Sequence, residues 1–398
     1  MSSVLRNFLY ILIIFCFIFE IVRFYEFVKD FSNWQYVDWL INYQGGFVRR
    51  GFIGEILYIF HKLLKIDLDI LIFIFVLLLY FFISYFLIQS IKYLENYTEN
   101  LLIFLSPGFF IYPVMNSGII GRKEILLIFC IIFFVFFEKK ISNRYLLPSF
   151  LIALIILCFS HSGFLFYSQF LFFLFTLIKH NRNLSINKTE LFLFCLIVFL
   201  IAIIINSIGG DQTTIDNICL SIKKYVSENC GNGDQIYHLS DVNTGINFRL
   251  FEKLNLGSEY LLNYFIIYGL SIFIVFFFIS KRLINSKFDI TFLKYHFKKP
   301  YLLFLIIFLL TFPMFVLGRD WGRYIYISYS CIYFIYIYCL KEKILIFNNS
   351  ETNIFKKKFI LIIFIFFYTF FFTFPFYDAR SFKITLLKPI VKILNIIN

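Results

Sequence analysis

Four short stretches concentrate the residue types that can do chemistry. The first, NWQYVDWLINYQGGFVRRGFIGE over 33–55, holds a carboxylate at Asp38, the glycine pair Gly45 and Gly46, and the arginine pair Arg49 and Arg50. Adjacent glycines let a backbone turn tightly or approach a ligand. Paired guanidinium forks match the oxygens of a phosphate or pyrophosphate, and a nearby carboxylate could take the proton of an attacking hydroxyl. The plainer reading of the same stretch is an interfacial aromatic belt of Trp34, Trp39 and Tyr43, with arginines on lipid headgroups.

The second stretch, GRKE from Gly121 to Glu124, opens an apolar run, where a helix N-terminus would add its own attraction for anions to Arg122 and Lys123. The third, GRDWGR from Gly318 to Arg323, offers Arg319 and Arg323 against the single acid Asp320. Two cations for one carboxylate leave a positive charge for an anionic ligand, although an Arg–Asp pair can also merely tie a hairpin. The fourth is His161 in FSHSGF, able to move a proton or hold a phosphate, or simply to pack at an interface. Asp320 and Glu124 are expected to support these groups. No zinc-ligand spacing, no Gly-rich loop ending in Lys-Ser or Lys-Thr and no Ser-His-Asp signature occurs, so nucleotide-driven chemistry is disfavoured and no cofactor is expected, with a divalent metal left open.

The elements that must position these residues are membrane helices. The 398 residues are 61% hydrophobic and 15% charged, with a mean hydropathy of +0.83, a balance that would leave a soluble domain with too much wet apolar surface. Apolar runs of spanning length recur from end to end. They predict an all-α polytopic transmembrane bundle forming one domain over 1–398, with about eleven spans near 7–23, 67–93, 101–116, 125–138, 146–160, 163–178, 191–208, 259–280, 301–317, 324–340 and 359–377. The runs at 101–116, 125–138 and 146–160 are short, and Pro107 and Pro113 in the first of them suit a broken or re-entrant helix. The run from Asn7 to Val22 has no small-residue cleavage site and reads as a retained helix.

The net charge of +13 sits in short loops between apolar runs, which argues for membrane orientation rather than nucleic acid. With the N-terminus cytoplasmic, the basic loops 139–145, 179–190, 281–300 and 341–358 fall inside; the acidic 94–100 loop is the exception. An odd number of spans sends the C-terminus outside. The long external segments are then 24–66, with an amphipathic helix expected over 52–64, and the polar 209–258. Asp38, Arg49, Arg50, Arg122, His161, Arg319 and Arg323 all reach the external face. Cys219 and Cys230, in the second segment, could pair in an oxidising compartment or remain free thiols; the other six cysteines lie in apolar runs.

This pattern of many spans, an acid and an amphipathic helix in the first external loop, and external cations resembles the polyprenyl-phosphate-dependent membrane glycosyltransferases of the GT-C fold. The resemblance implies a lipid bilayer and a polyprenyl-linked sugar as partners, a bacterial inner-membrane location, surface-polysaccharide (O-antigen) assembly as the process, and Asp38 as the acidic residue; the paired-acid motif of many members is absent. The chain also looks like O-antigen and capsule repeat-unit polymerases, without their Arg-to-Gly spacing of eleven. A transporter or flippase would instead need a cationic path across the membrane, and the spans are nearly charge-free apart from Glu20.

Overall fold

The computed structural model describes residues 3–30, 33–94, 103–207, 210–226, 230, 236, 239, 290–292, 295–297, 300–317 and 320–345. In chain order α1 (Ser3–Lys29) leads through α2 (Trp34–Leu40) and α3 (Phe52–Leu64) to α4 (Leu68–Leu94). There follow α5 (Tyr112–Met115), α6 (Glu124–Phe137), α7 (Asn143–Ser160), α8 (Ser168–Asn181), α9 (Lys188–Ser207) and α10 (Gln212–Ser221). The last are α11 (Pro300–Leu309), α12 (Phe312–Leu317) and α13 (Trp321–Lys341). A short antiparallel ribbon pairs Ile290–Phe292 with Tyr295–Phe297, inside the 281–300 stretch expected as a plain loop.

Among the described residues five helical stretches, Arg6–Lys29, Leu68–Leu94, Asn143–Ser160, Ser162–Asn181 and Lys188–Ser207, are long and apolar enough to cross a membrane. They carry rows of exposed apolar residues, such as Ile11, Phe15 and Ile18 on α1 and Ile74, Leu78, Phe81 and Phe82 on α4, which is how a helix facing lipid looks. The expected spans 259–280 and 359–377 lie outside the described residues. Two other expected spans are interrupted. The 101–116 run is no single helix but a set of turns around α5, and the 301–317 run breaks at Leu310 and Thr311 into α11 and α12.

At the centre stands α13. Gly322 and every residue from Tyr324 to Cys339 are buried, so this helix is enclosed on all sides. Its hydroxyls are used inwardly: Tyr333 shares a 2.6 Å hydrogen bond with Ser90 of α4, and Tyr329 donates to the Ile103 carbonyl at 2.6 Å. The second bond shows how irregular backbone is tolerated here, because a helix side chain satisfies a carbonyl that the broken 103–121 segment leaves open. Phe109 stacks on Tyr333 at 4.2 Å and Tyr112 on Tyr326 at 5.7 Å, fixing that segment against α13. The helix runs parallel to α6, with Arg323 beside Glu124 at one end and Lys341 donating to the Val135 carbonyl at the other.

The amphipathic stretch folds as expected. In α3, Ile53, Leu57 and Tyr58 pack inward while Ile59, Phe60, Leu63 and Leu64 stay exposed beside Lys62.

Candidate functional site

Gly121 is the hinge of the site. Its φ of +71° is a conformation L side chains rarely adopt, and a Cβ there would fall 2.0 Å from the Phe24 ring. Its N–H donates to the Tyr80 hydroxyl at 2.9 Å, and its carbonyl accepts from the Trp39 indole at 2.5 Å. One residue is therefore held by α1, α2 and α4 together. Phe24 lies five residues before the end of α1, about 7.5 Å along the axis. The turn that carries Arg122 and Lys123 is thus recessed below that helix end.

The next three residues point into the protein. Lys123 is fully buried; its ammonium donates to the Arg50 carbonyl at 2.9 Å and stands 3.8 Å from Asp38 Oδ1. Arg122 lies over the Trp34 ring at 3.6 Å, donates to the Gly118 carbonyl at 3.0 Å and faces Asp320 at 3.6 Å. Glu124, 2% exposed, is the first residue of α6. Its Oε1 is 3.2 Å from Arg323 Nε and 3.9 Å from His161 Nε2, yet among the described residues no other residue donates a hydrogen bond to either carboxylate oxygen. Arg323 also bonds Asp320 at 2.7 Å.

His161 closes α7, and its Nδ1 accepts from the Gly163 N–H at 3.1 Å. The neutral ring must then carry its proton on Nε2, the nitrogen directed at Glu124. The 3.9 Å between them is too long for a direct hydrogen bond.

Electrostatics divide the acids. Burial opposes ionisation of Asp38, but Lys123, then Arg50, His161 and Arg122, hold its carboxyl below the usual value. Burial outweighs Arg122 at Glu124, which lies ahead of the apolar run 125–138, and pushes it up to about 7. Burial likewise lowers Lys123 to about 8 against the pull of Asp38, and lowers His161 to about 3 with help from Arg50. At neutral pH the cluster thus holds a firmly ionised acid, an acid poised between its two forms, and a neutral imidazole.

Asp38, Arg122, Glu124, His161, Asp320 and Arg323 are thus brought together from four separate sequence stretches. Arg50 acts on the cluster through its carbonyl and its charge, and Arg49 is half-buried on the same loop. Arg319 lies outside the described residues. Sequence reasoning named Lys123 in the GRKE run but gave it no role of its own; nothing in that spacing said which cation turns inward. The alternative reading of the first loop put Trp34 and Trp39 in an interfacial belt; in the structure one lies over the Arg122 guanidinium and the other clamps Gly121.

Residues of the 209–258 segment brace the first loop. A Cβ on Gly45 would meet the Thr214 carbonyl at 2.3 Å, and Asn42 donates to Ser221 at 3.0 Å, so the glycine turn lies flat on α10. Asp211 caps α10 through the Thr214 N–H at 2.7 Å, and Asp216 accepts from Gln212. Cys219 of α10 is joined to Cys230 by a disulfide.

The site and fold define a helical protein with several membrane-capable helices and a recessed, buried cluster of acids and cations. No family model, curated protein or solved structure matches the chain.

Proposed function

We propose that the protein is a bacterial inner-membrane glycosyltransferase that moves a sugar from a polyprenyl-phosphate donor to a surface-glycan acceptor at the periplasmic face. The observation that carries this reading is the recessed cluster, in which, among the described residues, the carboxylate of the buried Glu124 takes no hydrogen bond from another residue although several cations and a neutral imidazole stand beside it. A phosphate anchored by a lipid chain reaches such a depth from the membrane side. About eleven spans, with the N-terminus cytoplasmic and the C-terminus periplasmic, complete the topology.

Arg122, Lys123 and Arg323 hold the donor phosphate, with Arg49 and Arg50 at the rim and Arg319 as a further phosphate contact. Charge-assisted hydrogen bonds replace the hydration the phosphate gives up. The acceptor hydroxyl attacks the anomeric carbon, the sugar–phosphate C–O bond breaks, and the phosphate departs with the electron pair. The hydroxyl proton goes to a carboxylate. Glu124 suits that role better than Asp38, because a base near the working pH is effective while one clamped by Lys123 and Arg50 is weak. Asp38 then orients Lys123, and the His161 Nε2–H hydrogen-bonds a sugar or phosphate oxygen.

The test is electrophoresis of surface polysaccharide from a deletion strain complemented with wild type, Arg122→Ala or Arg49→Ala. A changed ladder rescued by wild type and not by Arg122→Ala is expected. A lost side sugar marks the transferase, uniformly shortened chains mark a repeat-unit polymerase, and an unchanged glycan overturns both. A second measurement uses the chain's three tryptophans, Trp34, Trp39 and Trp321, which all lie at this end of the molecule. Their fluorescence should shift on titration with a polyprenyl phosphate, and not in Arg122→Ala.

A further inference from the structure

Glu20 takes no part in the cluster. It lies on α1 nine residues before Lys29, about 14 Å along the axis, near the middle of an apolar layer about 30 Å thick. The side chain is 7% exposed and borders a cavity of about 20 Å³ whose polar lining is Cys16, Tyr80, Ser84 and Tyr326. That volume holds one water or one small ion. Among the described residues no hydrogen bond or ion pair reaches the Glu20 carboxyl, and Arg23, one turn further on, is engaged by Glu26.

The titratable groups that face Glu20 are Cys16 from its own helix, Tyr80 from α4 and Tyr326 from α13, all neutral when protonated. Phe110, Ile83 and Leu87 close the walls with hydrocarbon. An ionised carboxylate in such surroundings is costly unless a cation neutralises it. A single negative charge balances a monovalent cation, and hydroxyl and carboxylate oxygens are ligands for a hard one.

We propose that Glu20, with the hydroxyls of Tyr80, Ser84 and Tyr326, forms a monovalent-cation site at bilayer depth, occupied by a proton or a sodium ion. Tyr80 links it to the cluster above, since the same hydroxyl accepts the Gly121 N–H. The site stands independently of the glycosyl-transfer reading.

The experiment treats the full chain in native membranes with dicyclohexylcarbodiimide. The protonated carboxyl adds to this reagent, its proton passing to a carbodiimide nitrogen, and the adduct rearranges to a stable acylurea seen by peptide mass spectrometry. Modification of Glu20 is expected, absent in Glu20→Gln and retained on the shorter acid in Glu20→Asp. It should fall at least about fivefold as the pH rises from about 6 to about 9, because the reagent adds only to the protonated carboxyl. Protection by sodium chloride but not choline chloride identifies sodium; equal labelling in both identifies the proton. Glu20 unmodified at every pH, or modified equally at every pH, overturns the proposal.

Discussion

The two ends of α6 bury charge in opposite styles. At its C-terminal end Arg182 donates to Glu138 Oε2 at 2.6 Å, to the Ile141 carbonyl at 2.9 Å and to Asn143 at 2.8 Å. Lys179 grips both oxygens of Glu190 at 2.8 and 2.6 Å, and Lys139 reaches Glu342 at 2.9 Å. At the N-terminal end the corresponding separations run to 3.2 Å for Arg323–Glu124, 3.6 Å for Arg122–Asp320 and 3.8 Å for Lys123–Asp38. The first end spends its cations on closing the structure. At the second end Arg323 is tied to Asp320 at 2.7 Å, while Glu124 and Asp38 stand 3.2 Å and 3.8 Å from their nearest cations; buried acids held next to cations in this looser way are where proton and anion chemistry is most often found.

The contrast is sharpest for single deletions. Arg182→Ala leaves Glu138 buried without its cation and should cost about 3–5 kcal/mol, with much of it recovered in the Arg182→Ala, Glu138→Gln double variant. Thermal unfolding in detergent measures both. If Arg182→Ala leaves the melting temperature unchanged, the closed end is not structural.

At the open end the expected loss is functional. Glu124→Gln should leave stability within about 1 kcal/mol of wild type, since no hydrogen bond to the carboxylate is broken. Glycan transfer should drop by about 10²-fold or more, the usual scale of a lost general base. Full activity in Glu124→Gln would return the base role to Asp38.

The pH response follows from Glu124 and His161 together. Glu124, raised to about 7 in the fold, binds more protons folded than unfolded, so its contribution grows as the pH falls from 7 towards its unfolded value. His161, lowered to about 3, binds fewer, so its contribution shrinks as the pH falls below its unfolded value of about 6.5. Each amounts to about 2 kcal/mol between about pH 7 and about pH 5, with opposite sign, and wild-type stability should be nearly flat there. Denaturant unfolding at the two pH values should find His161→Gln gaining stability towards acid and Glu124→Gln losing it. Parallel slopes in the two variants would contradict the charge states assigned here. The smallest effect is expected from Trp34→Leu, which removes the ring under Arg122 and should weaken polyprenyl-phosphate binding by about 1 kcal/mol. A binding curve superimposable on wild type would take Arg122 out of the phosphate contacts.

Much of the scaffold was legible because hydropathy reports the solvent directly. The runs at 7–23, 67–93, 146–160 and 191–208 fold as α1, α4, α7 and α9, and the amphipathic stretch 52–64 has the bounds of α3. Pro107 and Pro113 foretold that 101–116 would break. Two features were not legible: the many tyrosines of α13 gave no hint that it is so fully enclosed, and nothing in the first loop said that its tryptophans meet Arg122 and Gly121. A tyrosine is amphipathic, so its burial is decided by whether a hydroxyl partner such as Ser90 or the Ile103 carbonyl is waiting.

The sequence by itself determined a helical membrane protein, the places where charge interrupts apolar runs, and the residue types from which a phosphate and proton site could be made. Which of those charges meet was decided only by the tertiary structure. Asp38, Lys123, His161 and Arg323 are far apart along the chain, and a glycine at positive φ, pinned by Tyr80, Trp39 and Phe24, turns the 121–124 run inward to join them. Local periodicity reports which face of a helix is apolar; it carries no information on the depth of a loop or on the direction of a buried cation, because both are set by contacts between distant segments.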